Sequence, residues 1–222
     1  MAVNSTDLIT TQKTVEIFNN SAVSGISNGK KQRYQDNGHR PVSFLTEDEV
    51  NTLFDAAGKM YRGDRNELIM RILFMSACRV SECLALTFSC RTKVKDTFTL
   101  FIAHGKGDKP RLVAIPEDLY YRIGNYCQEH GLGNDDKLFY IGRFRVLQIV
   151  KECARAAGLN NRRVYCHLFR HSGALARLRR TGNLQSLKMQ LGHSSSSMTQ
   201  RYLVTMQMQE ALEIEGKVQF ER

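Results

Sequence analysis

The sequence predicts a mainly α fold (α+β) with one small antiparallel β-sheet set in early. Three observations point there. Apolar residues recur at helical spacing over most of the stretch from Thr46 to Tyr202. Only two short segments, TFTLFIAH and RLVAI, alternate in the manner of strands, and GKGDKP separates them as a turn. Finally, 222 residues with 42% hydrophobic content suffice for one domain with a true core.

Residues 1–40 are rich in Ser, Thr, Asn and Gln and end in the basic run GKKQRYQDNGHR. They are expected to form an arm or linker, with at most a short helix on Leu8, Val15 and Phe18. Order is expected from Pro41, in one domain covering 41–222 with a C-terminal tail from about 204. Thr46-Glu47-Asp48-Glu49 fits a capping box, and Val50, Leu53, Phe54 and Ala57 give the first helix its apolar stripe. A second helix is predicted from Asn66 to Ala77, and a third over SECLAL. After the hairpin, helical patterns cover 117–130, 144–157, 168–181 and 184–191. A short helix then ends at Tyr202, and Met206 to Ile214 suggests a last one. There is no internal repeat.

The charge is informative. A formal +10 and a pI near 9.5 favour a polyanionic partner, because Lys and Arg displace counterions from phosphates. Simple solubility, or binding to ribosomes or anionic lipid, is the blander alternative. No apolar run is long enough to cross a bilayer and the first twenty-odd residues lack a hydrophobic signal core, so a cytoplasmic, nucleoid-associated protein is expected. Cys78, Cys83, Cys90, Cys127, Cys153 and Cys166 form no CxxC pair and lie in or beside apolar stretches; buried free thiols are expected.

Five places can carry chemistry, and each has a plain alternative. Arg79, in FMSACRVSECLAL, sits at a seam between two helices, where an arginine is often just a surface group; Glu82 can pair with it. Lys106 is at a hairpin tip, where most lysines are merely solvated. In YCHLFRHSGALARL, His167 and Arg170 share a helix face at i, i+3. His171 adds an i, i+4 pair with His167 that zinc can use, but the further ligands of known zinc patterns are missing. LGHSSSSMTQRYL supplies His193 and, nine residues on, Tyr202, whose plain alternative is a buried ring with its hydroxyl on a neighbour. Together, two arginine forks, a lysine, two histidines and a tyrosine suit phosphoryl transfer without metal or other cofactor. Surrounded by cations, the tyrosine is expected to ionise more readily than its usual pKa of about 10 allows.

These residues resemble those of the tyrosine recombinases, the phage-integrase family, in order: Arg79, hairpin Lys106, His167-x-x-Arg170, His193, Tyr202. CRVSECLAL is similar to the family's first-arginine box, GKGDKPRLV to its hairpin segment and HLFRHS to its second box. The resemblance covers about residues 41–205. It implies a helical catalytic domain with a small antiparallel sheet, and a site-specific recombinase that cuts and rejoins double-stranded DNA through a 3′-phosphotyrosyl bond. By that likeness Tyr202 attacks, Arg79, Arg170 and His193 hold the non-bridging oxygens, Lys106 protonates the leaving 5′-oxygen, and His167 assists. The bond stores the energy of the broken phosphodiester, so no ATP is needed. The family also implies four protomers on two duplexes, a monomer without DNA, and accessory DNA-binding proteins as possible helpers. Arg143, Arg145, Arg162, Arg163, Arg177, Arg179 and Arg180 are candidates for backbone-phosphate contacts as a group. Met206, Met208, Leu212, Ile214, Val218 and Phe220 offer a tail to dock on a neighbouring protomer or on its own domain.

Two local departures stand out: Ser76-Ala77 replaces the usual Thr-Gly, and Phe169 the usual Leu. Upstream, some forty polar residues are too few for the family's core-binding domain. A catalytic fragment, or a short recombinase resembling the fimbrial-switch inverting enzymes, is expected. The alternatives are a type IB topoisomerase-like DNA-relaxing enzyme, or a non-catalytic DNA-binding relative.

Overall fold

The structure is a computed structural model, and it describes residues 42–103, 110–193 and 195–217. The polar arm and Lys106 therefore lie outside the described residues, as do Val218 and Phe220. Among the described residues there are eight α-helices, one 3₁₀ turn at Phe88–Cys90 and a three-stranded antiparallel sheet.

Helix α1, Glu47–Gly58, begins as the sequence predicts. The Thr46 hydroxyl accepts from the Glu49 amide at 3.2 Å, and the Thr46 amide donates to the Glu49 carboxylate at 2.8 Å. Val50, Leu53, Phe54 and Ala57 are its buried stripe. Helix α2, Gly63–Met75, starts a turn earlier than Asn66. The chain doubles back so tightly that a Cβ on Gly63 would lie 2.0 Å from the Gly58 carbonyl, which only glycine tolerates. Helix α3 is one short turn, Val80–Leu84.

Strands β1 (Arg91–Val94), β2 (Thr97–Ile102) and β3 (Arg111–Ala114) pair in chain order. The β2–β3 hairpin was legible in the sequence; β1 was not. Its turn is Lys95-Asp96, with Lys95 at φ 53° in place of the glycine that normally marks a tight hairpin, and half of RTKV is exposed. Helices α4 (Glu117–Glu129), α5 (Arg143–Ala156), α6 (Cys166–Thr181) and α7 (Leu184–Leu191) follow close to the predicted spans. The expected break after Tyr202 is absent. One helix, α8, runs from Ser197 to Glu215, because no Gly or Pro interrupts that stretch and its apolar stripe is too weak to mark an end.

Helices α2 and α6 form the centre. Gly173 of α6 meets the backbone of α2, where a Cβ would stand 1.9 Å from the Phe74 carbonyl. The main core gathers on α1 to α5, the sheet and the start of α6. A smaller apolar cluster of Val42, Ala77, Ala174, Leu178, Leu187, Leu191 and Tyr202 joins α6, α7 and α8. All six cysteines are buried free thiols. Among the described residues no helix is long and apolar enough to cross a membrane.

Candidate active site

The site is built where α3, β3, α6 and the turn after α7 meet. Arg79 caps α3. Its own amide donates to Glu82 Oε2 at 2.8 Å and its Nη1 donates to Glu82 Oε1 at 2.7 Å. The pairing foreseen for Arg79 and Glu82 is present, but a third residue dominates it. Arg111 of β3 grips Glu82 with both fork nitrogens, Nη1 to Oε1 at 3.0 Å and Nη2 to Oε2 at 2.8 Å. Burial alone would push the Glu82 carboxyl up. The hydrogen bonds and charges of Arg111 and Arg79 outweigh it and hold the group down at about 2.

Arg170, on α6, is 1% exposed. Its Nη1 donates to the Ala77 carbonyl at 2.5 Å, its Nη2 to the Leu191 carbonyl at 2.8 Å, and Nη2 stands 3.3 Å from His193 Nε2. Nη1 is also 3.9 Å from Glu82 Oε2, so both arginines expected in the site converge on one carboxylate. Burial first, then the nearby Arg79 charge, lowers the Arg170 pKa to about 10, which leaves it a cation at neutral pH. His193 Nδ1 lies 3.0 Å from Thr199 Oγ1. Because Arg170 can only donate, Nε2 of His193 is assigned as the acceptor and Nδ1 as the protonated nitrogen facing Thr199.

Two backbone turns place these groups. Ala77, standing where the family's glycine does, has φ 54°, and its carbonyl is the one that Arg170 holds. An alanine in that left-handed region costs roughly 1–2 kcal/mol, which a glycine would avoid. Gly192 has φ +64°, ends α7 and turns the chain into His193. A Cβ on it would lie 2.9 Å from Arg111 Cδ.

His167 opens α6, exposed, with its ring edge-on to His171 at 4.5 Å between centroids. Desolvation by the surrounding protein, then the Arg170 and Arg79 charges, lowers its imidazole from the ordinary histidine value. Tyr202 departs from expectation. It is 2% exposed, and its hydroxyl is 2.7 Å from His171 Nδ1. Burial raises its phenol to about 12, against the pull of Arg170, Arg201 and Arg79. The expected easier ionisation is thus reversed in this state, since desolvation of a phenolate outweighs nearby cations. His171, weighed in the sequence only as a metal ligand, is the tyrosine's partner; burial and the surrounding cations lower its own pKa to about 3. Among the described residues no group of three or more His, Cys, Asp or Glu is placed to hold a metal.

The seven further arginines divide. Arg143, Arg145, Arg163, Arg179 and Arg180 are exposed, although Arg145 pairs with Glu152 at 3.1 Å, Arg180 with Glu47 at 2.7 Å, and Arg179 bonds Gln209. Arg162 and Arg177 are ties within the fold. Arg162 binds Glu49 and the Phe44 carbonyl, and Arg177 binds the Met75 and Ala114 carbonyls. In this state both are engaged within the fold. Residues missed from the sequence are Arg111, Gln190 and Thr199. Arg111 did carry a signal: it shares the inward face of β3 with buried Val113.

The model of the phage integrase family matches residues 43–208. A tyrosine recombinase of Pseudothermotoga lettingae is 30% identical over 195 residues, 84% of this chain and 63% of that protein. The tyrosine recombinase XerA of Pyrococcus horikoshii is 31% identical over 184 residues, 76% and 60% respectively. The chain thus spans about 60% of the length of these relatives. Of solved folds, the XerA recombinase crystal structure superposes with a TM-score of 0.64 at 24% identity, over 81% of this chain and 67% of that one. The catalytic domain of bacteriophage HP1 integrase does so with 0.58 at 23%, over 78% and 94%. The fold is the one these catalytic domains share, and the chain belongs to the phage integrase family.

Proposed function

We propose that the chain is the catalytic domain of a site-specific DNA recombinase that cuts and rejoins double-stranded DNA through a 3′-phosphotyrosyl intermediate. The observation that supports this best is the meeting of Arg79, Arg170 and His193 at one place, with the cationic forks held by Glu82 and by main-chain carbonyls. The guanidinium donors of Arg79 and Arg170 fit the non-bridging oxygens of a phosphodiester and stabilise the charge that grows on them in the transition state, with His193 backing the Arg170 fork. The Tyr202 oxygen attacks phosphorus in line and loses its proton. The 5′-oxygen leaves and takes a proton from Lys106, with His167 assisting the transfer. The freed 5′-hydroxyl of a partner strand later attacks the phosphotyrosine, forming a new phosphodiester and releasing the Tyr202 phenol, which takes back a proton.

Tyr202 must first leave His171, because a phenol near 12 is a poor nucleophile. DNA binding is proposed to shift α8 and open that contact. The exposed Met208, Leu212 and Ile214 of α8 are proposed to dock on a neighbouring protomer in a four-protomer assembly on two DNA sites. Arg143, Arg145, Arg163, Arg179 and Arg180 are proposed to meet DNA phosphates, with accessory DNA-binding proteins adding grip.

The test uses nicked duplexes whose cut strand sheds a short 5′-hydroxyl fragment, so that the covalent adduct is trapped. They carry candidate inverted-repeat sites from a randomised pool. Wild type should give a detergent-stable protein–DNA band, and Tyr202→Phe should give none while still shifting DNA in a native gel. A band with Tyr202→Phe refutes the nucleophile assignment. Relaxation of supercoiled plasmid with no selected site would favour topoisomerase activity instead.

A further inference from the structure

We propose that Arg111 is a positioning residue for the cleavage reaction: it saturates Glu82 so that Arg79 and Arg170 keep their charge for the DNA phosphate. This rests on the recombinase reading above. Glu82 is the carboxylate nearest to three guanidinium groups, at 2.7 Å from Arg79, 2.8 Å from Arg111 and 3.9 Å from Arg170. Three cations against one anion leave a net charge of +2 (3 − 1) in the cluster; without Arg111 the balance is +1. Geometry sharpens the point. Arg111 supplies a donor to each carboxylate oxygen, the fork arrangement that satisfies a carboxylate most completely. Take it away and the buried carboxylate, 4% exposed, must find replacement donors. Arg170 Nη1, now on the Ala77 carbonyl, is the nearest cationic group not already bonded to it. A guanidinium drawn into a closer ion pair attracts a phosphate less, and it also abandons the acceptors that aim it.

Arg111 itself is fixed from three sides. Its Nε donates to the Gln190 carbonyl at 3.3 Å. The Gln190 side chain accepts from the Ala114 amide and donates to the Ser76 and Ala114 carbonyls, which locks β3 to α7 and to the end of α2. The Arg111 stem occupies the space a Cβ on Gly192 would need, in the same turn that delivers His193. One side chain therefore joins the strand, the first arginine's carboxylate and the histidine turn.

An arginine that only ties strand to helix would be just as buried, so the test must read charge. Cleavage rates of trapped adduct formation are compared on two substrates: an ordinary scissile phosphodiester, and a methylphosphonate that carries one negative charge fewer. Arg111→Gln is expected to slow phosphodiester cleavage by about tenfold or more, with DNA affinity within about threefold of wild type. On the methylphosphonate, the gap between Arg111→Gln and wild type should shrink to about threefold or less, since less charge needs stabilising. Arg111→Lys, which keeps the charge without the fork, should fall between them and shows the same narrowing even if Arg111→Gln fails to fold. In a Glu82→Gln background, Arg111→Gln should cost about threefold or less, as the competing carboxylate is gone. An equal defect on both substrates, or no defect, overturns the proposal while leaving the recombinase reading intact. Wild type that cleaves neither substrate overturns both.

Discussion

Replacing Glu82 by Gln should remove a specific part of the pH dependence of stability. The carboxyl titrates at about 2 in the folded chain against an ordinary 4.5. A folded-state pKa that is depressed stabilises the protein above the unfolded pKa, and the gain is lost as pH falls through the folded one. The distance from 4.5 to about 2 corresponds to about 3 kcal/mol at pH 7. At pH 3 the unfolded carboxyl is nearly all protonated and the folded one still mostly ionised, which leaves about 1 kcal/mol. Glu82→Gln lacks this titration but keeps every other group. The stability gap between wild type and Glu82→Gln, measured by urea unfolding, should therefore narrow by about 2 kcal/mol between pH 7 and pH 3. A gap that stays constant over that range would refute the view that Glu82 is an anion held by three guanidiniums.

Arg170→Ala should slow adduct formation by about 10²–10³-fold, and should also destabilise the fold by a few kcal/mol because the Ala77 and Leu191 carbonyls lose their donor. Rates normalised to the folded fraction separate the two effects, and a near-normal rate contradicts the assigned role. Gly192→Ala should cost about 1–2 kcal/mol in urea unfolding and slow cleavage as well, since the new methyl pushes against Arg111; unchanged values would show that the turn is not strained. Tyr202 has a raised folded pKa, so its contribution is complete below about 10 and is lost as pH rises towards 12. Tyr202→Phe should accordingly show a shallower loss of stability than wild type between pH 9.5 and 11, and parallel curves would argue that the phenol is not buried (roughly that window brackets the unfolded pKa).

Much of the fold was legible where local chemistry and tertiary packing agree. The Thr46 capping box and the Val50–Leu53–Phe54–Ala57 stripe predicted α1 directly, because a helix start and its buried face are both set by neighbours in sequence. Strand β1 was hidden because its order comes from pairing with β2, and a Lys-Asp turn gives no glycine signal. The continuity of α8 was hidden because that helix buries only a few polar and aromatic groups, Thr199, Tyr202, Thr205 and Gln209, and so lacks a clean apolar period.

The site shows the same division. Arg79, Arg170, His193 and Tyr202 could be named from residue type together with the resemblance to the tyrosine recombinases, and the structure brings the first three together. What spacing could not reveal is how each is held. Arg111 lies 29 residues from Glu82, and Gln190 lies 76 from Ala114, so neither tie leaves a local pattern. Nor does spacing report burial, which reverses the sign expected for the Tyr202 phenol. The same blindness applies to Arg162 and Arg177. Offered as candidates for phosphate contacts, they also reach main-chain carbonyls and a carboxylate within the fold, because a long side chain in a basic sequence can point either way.

The most direct check is to digest the trapped protein–DNA adduct with trypsin and find which peptide carries the nucleotide. The expected peptide spans 202–217, cut after Arg201 and Lys217, and bears a 3′-phosphonucleotide on its single tyrosine, Tyr202. A nucleotide on any other peptide would contradict it.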